Sequence, residues 1–244
     1  MTLEDFSSGF DTLLNSYAVE AGFGEDSSKG SLTFTEFEKS LFLTKFQDEF
    51  TISLYRGDLL GTGFEGTEEL RRYLAPLVKD AELSPVEEDG ELTLPHKGME
   101  SFSLFFRLPS DLRFITYEAV GLDADSRPCA GIARLDVVPA RQDEYNRLRK
   151  NPFRGANNRR ALRFDLSDGY IEIVSRYRVT KYYLRYLRKA APIILINLGQ
   201  ENTIEGISHA SPCELHEALH QRILEGAVQL ALQSRGYTRQ KDSN

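Results

Sequence analysis

The amino-acid sequence predicts an α+β protein with N-terminal helices, a mostly antiparallel β-sheet body in the middle and a C-terminal helix packed on that body. Apolar residues recur at steps of three and four over residues 34–54 and again over 215–231, which is the helical period. Between these segments lie short runs of β-branched and aromatic residues bounded by turn residues, which is typical of strands. Strands do not alternate with helices along the chain, so we expect no parallel α/β sheet.

The first predicted helix covers residues 8–20, where Phe10, Leu13, Leu14 and Tyr17 recur at helical spacing. The next ten residues, 22–31, are rich in glycine, serine and charged residues. Such a composition predicts a flexible arm.

The following apolar period predicts a longer helical stretch. Either Thr35 or Thr33 provides its N-cap, and Gly57 provides its stop. We expect a break near Leu43, after which Thr44 caps a second helical segment.

A further helix is predicted over residues 67–79, with Thr67 as N-cap and two glutamates in its first turn. Pro76 is expected to kink this helix or to end it early. Residues 84–98, which are rich in proline, glycine and glutamate, predict a loop.

Six strands are predicted after this loop, over residues 102–108, 113–120, 133–138, 160–166, 170–177 and 181–187. Pro139 ends the third strand, and residues 142–150 predict a short polar helix. Ser167, Asp168 and Gly169 join the fourth and fifth strands, which predicts a hairpin. The sixth strand leads into residues 192–196.

The last element is a helix over residues 213–232 with a continuous apolar stripe, and Ser211 and Pro212 provide its start. Gly226 lies inside this helix and costs about 1 kcal/mol relative to alanine. We expect one structural domain with an arm. Its parts are an N-terminal helix with a flexible arm (1–32), a helical segment (33–80), a β-rich body (81–200), a C-terminal helix that packs back on the body (201–236) and a polar tail (237–244).

Composition excludes several classes of protein. The chain has 244 residues, 41% hydrophobic and 27% charged, so it can bury a core and is not globally disordered. A net charge of −7 argues against a generic cationic nucleic-acid-binding protein. No apolar run approaches the ~20 residues of a membrane span, and no secretory signal is expected. With two cysteines, a disulfide scaffold is excluded and a reducing compartment is favoured.

The charge is unevenly distributed along the chain. Residues 1–100 carry a net charge of −13, residues 101–190 carry +8 and residues 191–244 carry −2. This asymmetry fits an acidic face that meets a basic face of a neighbouring copy, or a basic surface that faces a polyanion such as DNA. It also fits two solvated surfaces that contact nothing.

Residues 216–220 match the H-E-x-x-H pattern of zinc hydrolases. On a helix, His216 and His220 would share one face and bind Zn²⁺, with Glu217 as general base and Cys213 as a further ligand. No third ligand follows at the usual spacing. A purely structural helix is therefore favoured over a catalytic zinc site.

Residues 61–66 match the G-x-G-x-x-G pattern. The dinucleotide-binding form of this pattern needs a preceding strand, whereas a helix is predicted here. A glycine-rich loop between two helices is the favoured interpretation. The sequence contains no nucleophile elbow and no phosphate-binding P-loop motif.

Basic residues cluster over residues 147–163, where Phe153 and three asparagines interleave with them. Such a loop can contact DNA phosphates or an acidic patch on a neighbouring protein, or it can be a solvated loop that contacts nothing. Arg163 closes the cluster. The candidate contact residues are Arg147, Arg149, Lys150, Arg154, Arg159 and Arg160.

Several segments of the chain carry a resemblance to known proteins. They are FEKSLFLTKFQDEFTISLYRG and GFEGTEELRRYLAPLVK, then VVPARQDEYNRLRKNPFRGANNRRALRFDL, and finally RYLRKAAPIILI and CELHEALHQRILEGAVQLA. These segments resemble, in that order, the helical start, the middle and the C-terminal end of structural proteins of crAss-like phages and of related prophages of Bacteroides-type hosts. The final helix is also similar to that of head-to-tail connector proteins, including tail tubular proteins of short-tailed phages. In that pattern Leu215 and His220 belong to the motif, whereas the position of His216 is commonly proline. The resemblance thus implies that the H-E-x-x-H match is accidental.

The resemblance implies a virion structural protein without catalytic residues or cofactors: a head-to-tail connector or tail ring subunit, assembled in the cytoplasm of the bacterial host. The implied partners are other copies of the chain in a closed ring of about twelve, the portal, other connector and tail proteins, and genomic DNA passing through the lumen, but no membrane. Two alternatives stay open. One is a zinc-dependent hydrolase that uses His216, Glu217 and His220, and the other is a DNA-binding packaging accessory protein.

Overall fold

The computed structural model divides the chain into two compact units. The helical unit comprises Met1–Leu77 and Lys189–Asn244, and the sheet unit comprises Val78–Arg188. The structure describes residues 1–20, 33–58, 61, 63–86, 103–128, 131–199 and 202–235. The predicted arm at 22–31, most of the predicted loop at 84–98 and the predicted tail at 237–244 lie outside the described residues.

The predicted α+β class is confirmed. The helices are α1 (Leu3–Glu20), α2 (Glu36–Arg56), α3 (Glu68–Leu74), α4 (Tyr145–Arg149) and α5 (His220–Ser234). The strands are β1 (Val78–Leu83), β2 (Leu104–Arg107), β3 (Leu112–Leu122), β4 (Arg134–Pro139), β5 (Arg160–Asp165), β6 (Tyr170–Val174) and β7 (Val179–Arg188). No helix in the described part of the chain is long and apolar enough to cross a membrane.

Helix α2 begins and ends where the sequence predicts. The Thr35 hydroxyl accepts a hydrogen bond from the Glu38 backbone N–H, and the Glu38 carboxylate accepts one from the Thr35 N–H, which forms a capping box. Gly57 ends the helix at φ 83°, in the left-handed region that favours glycine. The expected break in the middle is wrong, because α2 is continuous there. Instead of capping a second segment, the buried Thr44 hydroxyl donates to the Ile193 carbonyl and accepts from the Ile193 N–H.

Helix α5 packs on α1 and α2 within the helical unit. Glycines allow two of these close approaches. A Cβ at Gly226 of α5 would lie 2.0 Å from the ring of Phe46 on α2, and a Cβ at Gly9 of α1 would lie 2.8 Å from Leu224 on α5. Glycine destabilises a helix, but at position 226 it allows the close contact with Phe46. A larger residue would require the Phe46 ring or the helix to move.

Helix α3 starts at the predicted N-cap, where the Thr67 hydroxyl accepts a hydrogen bond from the Leu70 N–H. It ends at Leu74, and a short 3₁₀ turn containing Pro76 follows. The helix therefore ends early, as expected from Pro76, and does not reach residue 79. The chain enters β1 at Val78, a strand that the sequence did not predict.

The seven strands form one sheet in the order β1-β7-β3-β4-β5-β6-β2. Neighbouring strands are antiparallel except β4 and β5, which run parallel. The predicted β5–β6 hairpin is confirmed, with Asp168 and Gly169 at positive φ in its turn. Residues 192–196 contribute an isolated bridge between Ile194 and Ser211 rather than a regular strand.

The sheet curves until its two edges approach each other. Just beyond β1, the Val86 N–H donates to the Phe105 carbonyl of β2 at 2.7 Å. The rings of Phe106 on β2 and Tyr182 on β7 lie 5.5 Å apart. One apolar cluster therefore collects side chains from all seven strands, as in the interior of a small barrel. On the outer face, Tyr145 of α4 packs edge-on against Phe164.

Candidate contact loop

The candidate basic residues lie on α4 and on the loop that leads from α4 into β5. Because β4 and β5 are parallel, the chain must return from the end of β4 to the start of β5, and α4 makes this return across the outer face of the sheet. We call residues 150–160 the contact loop. Arg147 and Arg149 belong to α4, and the other four candidates belong to the contact loop, whose last residue, Arg160, is also the first residue of β5.

Side-chain and backbone hydrogen bonds fix the shape of the contact loop. The Asn151 carboxamide oxygen accepts hydrogen bonds from the N–H groups of Phe153 and Arg154, at 2.9 and 3.1 Å. The Asn157 carboxamide oxygen accepts from the N–H groups of Arg159 and Arg160 at the same two distances. Gly155 is buried, and a Cβ there would lie 2.5 Å from the Leu148 carbonyl oxygen. These hydrogen bonds and the close contact at Gly155 therefore brace the backbone of the loop at both ends.

This loop exposes an aromatic ring. Phe153 is 83% exposed, the highest value among the large hydrophobic side chains in the described part of the chain. Tyr117, on β3, is the next at 50%. A phenylalanine held in water on a well-ordered loop is typical of a contact anchor, since large apolar side chains contribute most of their free energy when buried.

The charges around Phe153 fall into two groups. Arg147 forms an ion pair with Glu144 at 2.5 Å, so its charge is partly compensated. Lys150, Arg154 and Arg159 are exposed and form no salt bridge with any other described residue. The contact loop therefore presents uncompensated positive charge beside an exposed ring.

Further arginines lie at the same end of the sheet. Because β4 and β5 start there and β6 ends there, the strand directions bring Arg134, Arg176 and Arg178 to the end where the contact loop enters β5. All three are exposed, although Arg178 lies 3.7 Å from the Asp123 carboxylate. Local sequence reasoning missed them because they are distant along the chain.

Arg163 is not a contact residue, although it closes the basic run in the sequence. Its side chain is 10% exposed and points into the barrel, where its Nη1 lies 2.8 Å from Glu118 Oε1. The other Glu118 oxygen accepts a hydrogen bond from the Tyr182 hydroxyl at 2.7 Å. Arg163 Nε lies 3.0 Å from Asp165 Oδ1 without hydrogen-bond geometry. Burial raises the pKa of Glu118 in spite of the arginine, and burial followed by the Glu118 charge raises the pKa of Tyr182.

The H-E-x-x-H segment does not form the helical face that a zinc site of this type needs. Residue His216 has φ −56° and ψ 139° and caps a short 3₁₀ turn, while α5 begins only at His220. The helix predicted from residue 213 therefore starts seven residues too early. Both ring nitrogens of His220 have partners, since Nε2 lies 2.9 Å from the Leu215 carbonyl oxygen and Nδ1 lies 3.1 Å from the Met1 amine. The His216 ring packs against the ring of Tyr73.

Cys213 is equally unsuited to be a ligand. Its thiol donates a hydrogen bond to Gln47 Oε1 at 3.2 Å, and burial raises its pKa to about 11. Metal binding requires the thiolate, which this environment disfavours. His216, His220 and Cys213 therefore do not have the arrangement that a zinc hydrolase of this type requires.

The glycine-rich segment over residues 61–66 follows helix α2, as the sequence predicts, and not a strand. The Phe64 N–H donates to the Tyr55 carbonyl, and a Cβ at Gly63 would lie 2.9 Å from the same oxygen. Gly63 thus serves the packing of the loop on the end of α2. Thr62 lies outside the described residues.

Comparison with known proteins gives a consistent result over nearly the whole chain. The profile of the phage tail ring protein 3/4 family matches residues 1–243. Ring protein 3 of Bacteroides phage crAss001 is 41% identical over 237 residues, which cover 96% of both chains. Ring protein 4/5 of the same phage is 30% identical over 243 residues, which cover 95% of this chain and 92% of the relative. The chain therefore belongs to the phage tail ring protein 3/4 family of crAss-like phages and is a structural ring protein of the virion.

Proposed function

We propose that this chain is the subunit of a closed homo-oligomeric ring in the head-to-tail connector or tail, and that it has no enzymatic activity. The observation that carries the proposal is the match to a ring protein family over residues 1–243. Two relatives from one phage bear ring protein names, which supports a stack of related rings in the same particle.

The proposed ring contains about twelve copies and joins the capsid to the tail around the portal axis, since a head-to-tail interface that closes on itself generates a ring. Its partners are the portal, the neighbouring connector and tail proteins, and the genomic DNA that passes through the lumen. Assembly takes place in the cytoplasm of the bacterial host.

The mass of the native particle tests this proposal. We expect native mass spectrometry and negative-stain imaging of the full chain to show one closed species of many copies, either alone or on purified portal protein. A chain that stays monomeric over a wide concentration range, with and without portal, contradicts the proposal. Open filaments contradict closure but not self-association.

A further inference from the structure

We propose that the contact loop, residues 150–160, docks onto the helical unit of a second copy of this chain, with Phe153 as its anchor and Arg154 as its main charged contact. This inference rests on the proposed self-assembly and names the surface that carries it. The features that support it are the internal hydrogen bonds of the loop, the exposure of Phe153 and the distribution of charge between the two units.

The contact loop is organised before any partner binds. Asn151 and Asn157 hold four backbone N–H groups of the loop, and the buried Gly155 donates its own N–H to the Asn151 carbonyl at 2.8 Å. A loop that keeps its conformation loses little entropy on binding, so more of the contact free energy appears as affinity. Such a loop is suited to insertion into a partner surface.

Phe153 and Arg154 are the residue types that dominate protein interfaces. Aromatic residues and arginine are enriched at binding hot spots, where a few buried side chains carry most of the affinity. Phe153 is 83% exposed, so nearly its whole ring is available for burial. Arg154 follows it directly and is exposed without a salt bridge to any described residue.

The charge of the chain favours a second copy as the partner. The helical unit carries a net charge of −9, whereas the sheet unit carries +2, which is made up of −5 over residues 78–102 and +7 over residues 103–188. A heterologous interface needs two different and complementary surfaces on each copy. The basic end of the sheet unit and the acidic helical unit meet this requirement. Exposed carboxylates of the helical unit include Glu49, Asp58, Glu68, Glu69 and Glu217.

A nucleic acid is a weaker fit for this surface. DNA phosphates bind cations and polar groups, and duplex DNA buries a phenylalanine ring only where a base step opens, at the free-energy cost of unstacking that step. Binding carried by phosphates alone would leave Phe153 in water. DNA binding is therefore the competing outcome of the experiment.

Charge-reversal and truncation variants test the contact. We expect Phe153→Ala and Arg154→Glu each to raise the concentration for half-assembly at least about tenfold, measured by sedimentation velocity on the full chain. Two matched controls should leave it within about twofold. Tyr117→Ala removes an exposed aromatic side chain from β3, and Arg141→Glu reverses an arginine that is 77% exposed at the other end of β4. Unchanged assembly of both loop variants overturns the inference, even where wild-type rings form.

A photo-crosslinker at position 153 identifies the partner. Benzoylphenylalanine replaces Phe153 in a mixture of ¹⁴N- and ¹⁵N-labelled chains, and short duplex DNA is present during irradiation. We expect adducts of mixed isotope composition that map to the helical unit, residues 1–77 or 189–244. Adducts on DNA, on the sheet unit or within one chain overturn the inference. A wild-type chain that never self-associates overturns both proposals, whereas rings that form without this adduct overturn only the docking surface.

Discussion

Replacing Arg163 by methionine is expected to destabilise the sheet unit by about 3–5 kcal/mol, because it leaves a buried carboxylate without its cation. The Glu118 and Arg163 side chains are only 9% and 10% exposed, and their closest atoms lie 2.8 Å apart. In the variant, the Tyr182 hydroxyl would be the remaining hydrogen-bond donor to Glu118 among the contacts described. Solvent cannot screen a charge in this position, so the cost exceeds that of a surface ion pair.

The loss should depend on pH in a defined direction. Burial raises the pKa of Glu118 in the folded state, and removal of the arginine raises it further. The folded state then binds the proton more tightly than the unfolded state does. The loss of stability is therefore largest at pH values above the folded-state pKa of Glu118 and shrinks as the pH falls through that pKa.

Guanidinium denaturation of the full chain, followed by far-UV circular dichroism and by tyrosine fluorescence, measures this effect, since the chain has no tryptophan. The control is the double variant Arg163→Met/Glu118→Leu, which replaces the pair by apolar groups and should recover to within about 1.5 kcal/mol of wild type. A loss below about 1 kcal/mol for Arg163→Met, or a double variant as unstable as the single, would refute the reasoning.

Two further changes test the helical unit. Gly226→Ala gains helix propensity of about 1 kcal/mol, but its new Cβ collides with the Phe46 ring, so we expect a net loss of about 1–2 kcal/mol in chemical denaturation. Phe46→Leu should relieve this loss in the alanine background, and a Gly226→Ala variant more stable than wild type would show that the contact is not tight. Burial lowers the pKa of His220, so the unfolded state binds its proton more tightly. Stability should fall as the pH drops through the unfolded value of about 6.5, by at most ~1.4 kcal/mol per pH unit. His220→Gln should flatten this dependence, whereas His209→Gln, at an exposed histidine, should not.

Local signals in the sequence identified much of the fold because they act over a few residues. The capping box at Thr35, the stop at Gly57 and the N-cap at Thr67 each depend on neighbours within four positions. The β5–β6 hairpin likewise depends on the short turn around Gly169.

The remaining elements depend on contacts that are distant along the chain. Strand β1 has no apolar run of its own and forms by pairing with β7, about a hundred residues later. The start of α5 was misplaced because the apolar stripe continues through residues 213–219, which contribute buried Leu215 and Leu219 without being α-helical. Apolar spacing shows which side chains are buried, but not the backbone conformation that buries them.

The sequence shows where the basic residues cluster but not which of them reach solvent, because the burial of each one depends on its position relative to strand β5. Arg163 and Arg159 lie in one basic run, yet only Arg159 reaches solvent. In β5, residues on both faces are buried, so an arginine inside that strand must pair with a charge in the interior, and Glu118 on β3 provides it. Residues before the strand have no such constraint. Phe153 lies in the segment before the strand, where Asn151 holds the backbone and the ring is exposed. The hydration of an apolar ring is unfavourable in free energy, and a partner that covers the ring would remove this cost.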